Sequence, residues 1–224
     1  MVQDVLSLNW NLFEEINGPA GHEGALDPLM IFAANNLIFL LPLLLLLLWF
    51  GLARWSPLMR KASQSDTSSV AGHITLALAV LGAVFALGLN VLLGHMLFEP
   101  RPFVSHPTMV HKLIAHAADA SFPSDHSAAA FSMATVITAA GLSLARRRIA
   151  SGLAIVVAIV ALLTAITVAF ARIYVGVHYP GDVIGGALCG IIGGLVALAL
   201  GPLLRPLLTP IIRLLGQIGL ASLS

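Results

Sequence analysis

Ala171-Arg172-Ile173-Tyr174-Val175-Gly176-Val177-His178-Tyr179-Pro180-Gly181-Asp182 separates two long apolar runs in a 224-residue chain with only 9% charged residues. An arginine, a histidine and an aspartate therefore meet where one apolar segment ends and the next begins. Charge beside lipid is costly and is retained mostly where it serves function. Pro180 suits the first turn of a helix. That places His178 at the start of the helix, with Asp182 four residues on and on the same face. A histidine nucleophile or base oriented by a carboxylate fits this spacing.

Two further clusters match it. Ser121-Phe122-Pro123-Ser124-Asp125-His126 opens another apolar run. Ser124 reads as an N-cap, and the free amides of the helix start behind it form an anion site. Asp125 reads as helix N-terminal stabilisation. Glu99-Pro100-Arg101-Pro102 closes the preceding run, and arginine binds phosphate oxygens bidentately. Three loop-to-helix junctions thus supply Arg101, Arg172, the Ser124 helix start, His126, His178 and Asp182. These are parts for phosphoryl transfer.

Hydrophobic residues make up 58% of the chain and the mean hydropathy is +0.97. An integral membrane protein is expected, with no nucleic-acid partner. The single cysteine, Cys189, lies in an apolar run; it excludes an internal disulfide and reads as small core filler. Five stretches, approximately 30–53, 71–98, 124–145, 149–171 and 181–203, suit bilayer crossings of roughly 20 residues. Residues 3–17 place Val5, Leu8, Leu12, Phe13 and Ile16 at helical spacing, which predicts a helix on the membrane or packed on the bundle. Arg205, Thr209, Arg213 and Gln217 predict an interfacial C-terminal helix. The expected fold is an all-α integral membrane protein, a bundle of about five transmembrane helices plus the N-terminal interfacial helix, in one domain over 1–224. Gly186-x3-Gly190-x3-Gly194 predicts close helix packing within the bundle, with dimerisation as the alternative. Asn35, Asn36 and Asn90 read as helix–helix hydrogen-bond partners.

Eight of the 11 basic residues (Arg54, Arg60, Lys61, Arg146, Arg147, Arg148, Arg205 and Arg213) fall on one side of these spans, together with one of the 10 acids, Asp66. The other side holds Arg101, Lys112 and Arg172. The positive-inside rule makes the first side cytoplasmic, so the N-terminus and all three clusters face outward. The outward connection 99–123 carries Pro100, Pro102 and Pro107, and long irregular loops of this kind are usually functional or disordered.

Together the clusters resemble the type 2 phosphatidic acid phosphatase superfamily, whose signature is Lys-x6-Arg-Pro, Pro-Ser-Gly-His and Ser-Arg-x5-His-x3-Asp. Here the three parts read Gly94-x6-Arg101-Pro102, Pro123-Ser124-Asp125-His126 and Ala171-Arg172-x5-His178-x3-Asp182. The resemblance covers about residues 70–203. The variant Phe-Pro-Ser-Asp-His, preceded by His116-Ala117-Ala118-Asp119-Ala120-Ser121, is similar to the bacitracin-resistance type of undecaprenyl-diphosphate phosphatase. So is the opening, with Leu12-Phe13, Ile16-Asn17 and Leu26-Asp27-Pro28-Leu29-Met30. That subgroup dephosphorylates the C55 carrier lipid on the outer face of the bacterial plasma membrane, recycling it for cell-wall synthesis. Gly94 stands where the family has lysine, Ala171 where it has serine, and Asp125 where it has glycine.

The resemblance implies that His178 attacks the terminal phosphorus and that Asp182 holds its tautomer. His126 then protonates the departing lipid phosphate and later activates water. Arg101, Arg172 and Ser124 would bind the phosphate. Lys112, the remaining outward lysine, would replace the missing ligand or meet the second phosphate of a diphosphate; a solvated loop lysine is its alternative. The expected partners are a polyprenyl diphosphate and membrane lipids. The family uses no metal or cofactor, and none is expected from His106, His111 and His116, whose spacing of five fits no ligand pair. Phosphatidic acid, phosphatidylglycerol phosphate and a lipid A phosphate are alternative substrates, because the motif reads phosphate rather than the tail. A non-catalytic lipid transporter is the competing class; it would distribute polar residues through the bilayer, whereas here they collect at one face.

Overall fold

The computed structural model describes residues 2–49, 66–146 and 151–217. Within them the chain forms α1 (Val2–Asn17), α2 (Leu26–Asn35), a 3-10 turn (Leu37–Phe39), α3 (Leu40–Trp49), α4 (Asp66–Met96), the short α5 (Pro102–Ser105), α6 (Asp125–Arg146), α7 (Ser151–Tyr174) and α8 (Pro180–Gln217). Among the described residues, extended pairing is limited to one isolated bridge between Pro100 and Ala120. Arg54, Arg60, Lys61, Arg147 and Arg148 lie outside the described residues.

Helix α6 occupies the centre and packs against α4, α7 and α8. Its sequence explains this. Ala128, Ala130, Ala134, Ser127 and Ser132 are all buried, and such short side chains let neighbouring backbones approach. The glycine row of α8 completes the contact. A Cβ on Gly186 would strike the Ser124 carbonyl, one on Gly190 the Ala128 carbonyl, and one on Gly194 the Thr135 side chain at 2.9 Å. Between helices in lipid the attraction is van der Waals packing rather than water exclusion, so closeness is what holds them. The glycine row is consumed inside the bundle, as the close-packing reading expects, and is not left as a dimerisation face.

The outer faces are apolar at helical spacing. On α4, Val80, Val84 and Val91 are exposed; on α7, Ile159, Leu163 and Ile166; on α8, Ile184, Leu188, Ile192 and Leu195. Stripes of this extent belong against lipid. His73–Met96 and Ala154–Tyr174 provide 24 and 21 residues, enough to cross a hydrocarbon core of about 30 Å. At 22 residues α6 is long enough too; its serines and threonines lower its hydropathy, and the bundle buries Ser127 and Ser132 among them. The chain is a multi-pass membrane protein.

Two expectations change in detail. The first span is not one helix over 30–53 but a pair, Leu26–Asn35 and Leu37–Leu46, bent by 50°. Asn35 and Asn36 lie exposed at the break rather than bonding a neighbouring helix. At the other end, no separate interfacial helix forms around 205–217. Helix α8 runs unbroken for 38 residues through Pro202, Pro206 and Pro210. Prolines four apart fall on one side of the helix, and all three are exposed. The hydrogen bonds they delete are thus confined to one outer edge. At 1.5 Å per residue such a helix reaches about 57 Å, well beyond the hydrocarbon core.

Candidate active site

The C-terminal ends of α4 and α7 and the N-terminal ends of α6 and α8 meet at one end of the bundle, and backbone and side-chain bonds tie them together. Ser124 N–H donates to the Asp182 carbonyl (3.0 Å). Asn90 Nδ2, from α4, donates to the Pro123 carbonyl (3.3 Å) and to Asp125 Oδ1 (3.0 Å). Asn90 therefore acts as the expected inter-helix partner, and Asp125 serves to anchor the start of α6.

Local sequence sets the turn that carries His178. Helix α7 ends at Tyr174, and Gly176 takes φ +80°, a conformation L side chains avoid. A Cβ there would also meet the His111 carbonyl at 2.7 Å. Helix α8 then starts with Tyr179 as cap and Pro180 as first helical residue. Asp182 Oδ2 reaches back to accept from Tyr179 N–H (2.7 Å), one half of a capping box. The same oxygen accepts from Ser121 Oγ and lies 3.4 Å from His178 Nδ1. One buried carboxylate thus caps the helix and fixes the imidazole. His178 is itself buried. Burial first, then the charges of Arg101 and Arg172, hold it well below the ordinary imidazole range. With Nδ1 facing Asp182, Nε2 is the ring nitrogen on the Arg101 side, 3.1 Å from Nη1.

The two arginines differ. Arg101 precedes α5, with Pro102 in the first turn. Its Nε donates to Asp119 Oδ1 (2.7 Å) and its Nη1 to the Val177 carbonyl (2.9 Å); Nη1 also lies 3.1 Å from His178 Nε2. Arg172 is 1% exposed. Its Nη1 donates to the Ala34 carbonyl at 3.4 Å, while Nε and Nη2 are buried with no hydrogen-bond partner. The break after α2 is what offers that carbonyl, since the last turn of a helix has carbonyls without helical partners and a negative dipole end. A buried guanidinium with two open donors is costly unless an anion completes it.

Ser124 Oγ is buried and also lacks a partner, so it does not cap α6 as expected but stays open beside the helix start. His126 is half-buried in the first turn of α6, and Arg172, His178, His116 and Arg101 all act on it electrostatically. Lys112 sits at the rim. Its Nζ donates to the His116 carbonyl (3.0 Å) and lies 3.7 Å from the centroid of the Phe103 ring. Gly94 abuts the Phe122 carbonyl, which a Cβ would meet at 3.3 Å.

The three loop histidines go to three places. His106 packs on Trp10 (ring centroids 4.0 Å apart), His111 meets His22 edge-on (5.3 Å), and His116 stands 6.2 Å from His178. Among the described residues no group of three or more His, Cys, Asp or Glu is placed to hold a metal.

Helix α1 is packed on this end of the bundle. Phe13 is buried against Tyr179, with ring centroids 5.5 Å apart. Asn9 Oδ1 accepts from Gly181 N–H (2.8 Å). Asn17 bonds both backbone groups of His111 and the Tyr174 carbonyl, locking the outer loop to the turn after α7. Asn9, Asn17, Ser121, Asp119 and the Ala34 carbonyl are contributors that sequence reasoning assigned no role. Asp119 and Ser121 stood inside a quoted motif, whereas a backbone carbonyl leaves no mark in a sequence.

The PAP2 superfamily profile matches residues 72–205, more than half of the chain. The chain belongs to the PAP2 superfamily. It is 35% identical over 185 residues to undecaprenyl-diphosphatase BcrC of Bacillus subtilis, covering 82% of this chain and 79% of that one. It is also 35% identical over 186 residues to the putative undecaprenyl-diphosphatase YbjG of Escherichia coli, covering 83% and 78%. Among solved structures, Aquifex aeolicus LpxE superposes with a TM-score of 0.59 at 26% identity, over 86% of this chain and 95% of that one. The matched PAP2 region begins in α4 and ends in α8, so it contains every residue of the cluster around His178 except the Ala34 carbonyl and the α1 contacts.

Proposed function

We propose that this protein is a membrane lipid phosphatase that hydrolyses the terminal phosphate of undecaprenyl diphosphate. The observation that carries the reading is the buried Arg172 guanidinium with two open donors in a site centred on a buried histidine beside a carboxylate. The resemblance to undecaprenyl-diphosphatases at 35% identity narrows the lipid. His178 Nε2 attacks the terminal phosphorus as the bond to the bridging oxygen breaks. His126 gives its proton to that oxygen, releasing the lipid monophosphate. His126 then takes a proton from water, whose oxygen attacks the phosphohistidine; the N–P bond breaks and inorganic phosphate leaves. Arg172, Arg101, Ser124 Oγ and the α6 amides hold the equatorial oxygens, where charge develops. Lys112 serves the second phosphate from the rim.

Phosphate release by purified protein in EDTA, across a panel of lipid phosphates, tests this. Undecaprenyl diphosphate is expected to turn over with the highest kcat/KM. Faster hydrolysis of phosphatidic acid, phosphatidylglycerol phosphate or a lipid A phosphate would reassign the substrate.

The charge asymmetry of the loops supports a site on the outer face of a bacterial plasma membrane. The native thiol, Cys189, is buried, so an introduced cysteine reports without background. Met109→Cys should react with an impermeant thiol reagent in spheroplasts, and Ser63→Cys should not. The opposite pattern would invert the topology.

A further inference from the structure

We propose that Asp119 is a counterion that sets the affinity of the phosphate site, competing with the bound phosphate for Arg101. The inference rests on the reading of Arg101 as a phosphate ligand and goes beyond it. The two arginines are unequal: Arg172 has two open donors, whereas the Nε edge of Arg101 is filled by Asp119 at 2.7 Å. Asp119 is 62% exposed against 6% for Arg101, so water screens the carboxylate end of the pair and reduces what it adds to the fold. Nor is it needed to orient Arg101, which is buried and already donates to the Val177 carbonyl. Burial draws the Asp119 carboxyl upward, but the hydrogen bond and charge of Arg101 outweigh that and keep it ionised at neutral pH.

A carboxylate on a guanidinium edge mimics one face of a phosphate. A phosphate that takes this edge must displace Asp119 or bind against its charge. His116 Nδ1 stands 3.9 Å from Asp119 and 3.2 Å from the Ala117 carbonyl, so the rim carries a polar ring beside the displaced carboxylate. The consequence is weaker ground-state binding of both substrate and inorganic phosphate. Tight binding of the ground state does not raise turnover, and a product held by two uncompensated arginines would leave slowly.

Asp119→Asn removes the charge while its amide oxygen can still accept from Arg101 Nε. The full-length protein is assayed for inhibition by inorganic phosphate, for KM and kcat separately, and for thermal shift on adding phosphate. In Asp119→Asn and Asp119→Ala the inhibition constant for phosphate should fall about three- to tenfold, the scale of one partly screened charge. KM should fall with it, and kcat should not rise. Asp119→Glu should stay near wild type. An unchanged or raised inhibition constant in Asp119→Asn overturns the proposal. The thermal shift needs no lipid. A protein that ignores undecaprenyl diphosphate yet binds phosphate more tightly as Asp119→Asn would sink the substrate assignment and keep this inference.

Discussion

His178→Ala is expected to lower kcat by roughly 10⁴-fold or more, because it deletes the atom that forms the covalent intermediate. That factor corresponds to at least about 5 kcal/mol of barrier. The folded state should survive. His178 sits in the turn between α7 and α8, and its ring meets Asp182, Arg101 and the Ser121 backbone; the helix cap is made by Tyr179 N–H and Asp182 and does not use the ring. An acid-labile, base-stable radiolabel from phosphate-labelled substrate should appear on wild type and be absent from the variant. Asp182→Asn tests the support. It keeps a hydrogen-bond acceptor for the cap but presents a neutral amide to His178 Nδ1, so turnover should drop steeply while the secondary structure persists. Substantial phosphate release by His178→Ala, or label on a different residue, would remove His178 as the nucleophile.

Arg172→Leu should separate activity from stability. Activity is expected to fall by about 10² to 10³ in kcat/KM, the effect of removing one preorganised donor group from a developing oxyanion. Arg172→Lys should recover little of it, because an ammonium cannot present two parallel donors. Stability should move the other way. Arg172 is a fully buried cation bonded, among the described residues, to a single backbone carbonyl at 3.4 Å. Replacing an incompletely paired buried charge with an apolar side chain is often neutral or stabilising, so the unfolding temperature in detergent should equal or exceed that of wild type. Orthovanadate, which resembles the transferring phosphate, should stabilise the wild type by ligand linkage and stabilise Arg172→Leu much less. An Arg172→Leu protein that keeps its activity, or one that responds to vanadate as strongly as wild type, would show that the phosphate is bound elsewhere.

The sequence by itself determined that the chain is a helical membrane protein, because 58% hydrophobic content in spans of bilayer length leaves no other way to satisfy the backbone. It also marked the three junctions proposed to carry the chemistry, since charge next to lipid is rare enough to be conspicuous. His178 and Asp182 could be paired from their spacing, although His178 lies in the turn ahead of α8 rather than on the helix, and the two meet because Asp182 folds back to cap the helix start. Tertiary structure decided what sequence spacing cannot encode. Arg172 is held by the Ala34 carbonyl, 138 residues away, and that carbonyl is on offer only because the first span breaks after Asn35. Arg101 is neutralised by Asp119 rather than left open, and the outer loop is fixed by Asn17 from α1. The prolines of α8 fail to end it, because their deleted bonds share one exposed edge. Local periodicity records which face of a helix is apolar; it does not record which distant carbonyl or carboxylate the packed bundle brings against a buried cation.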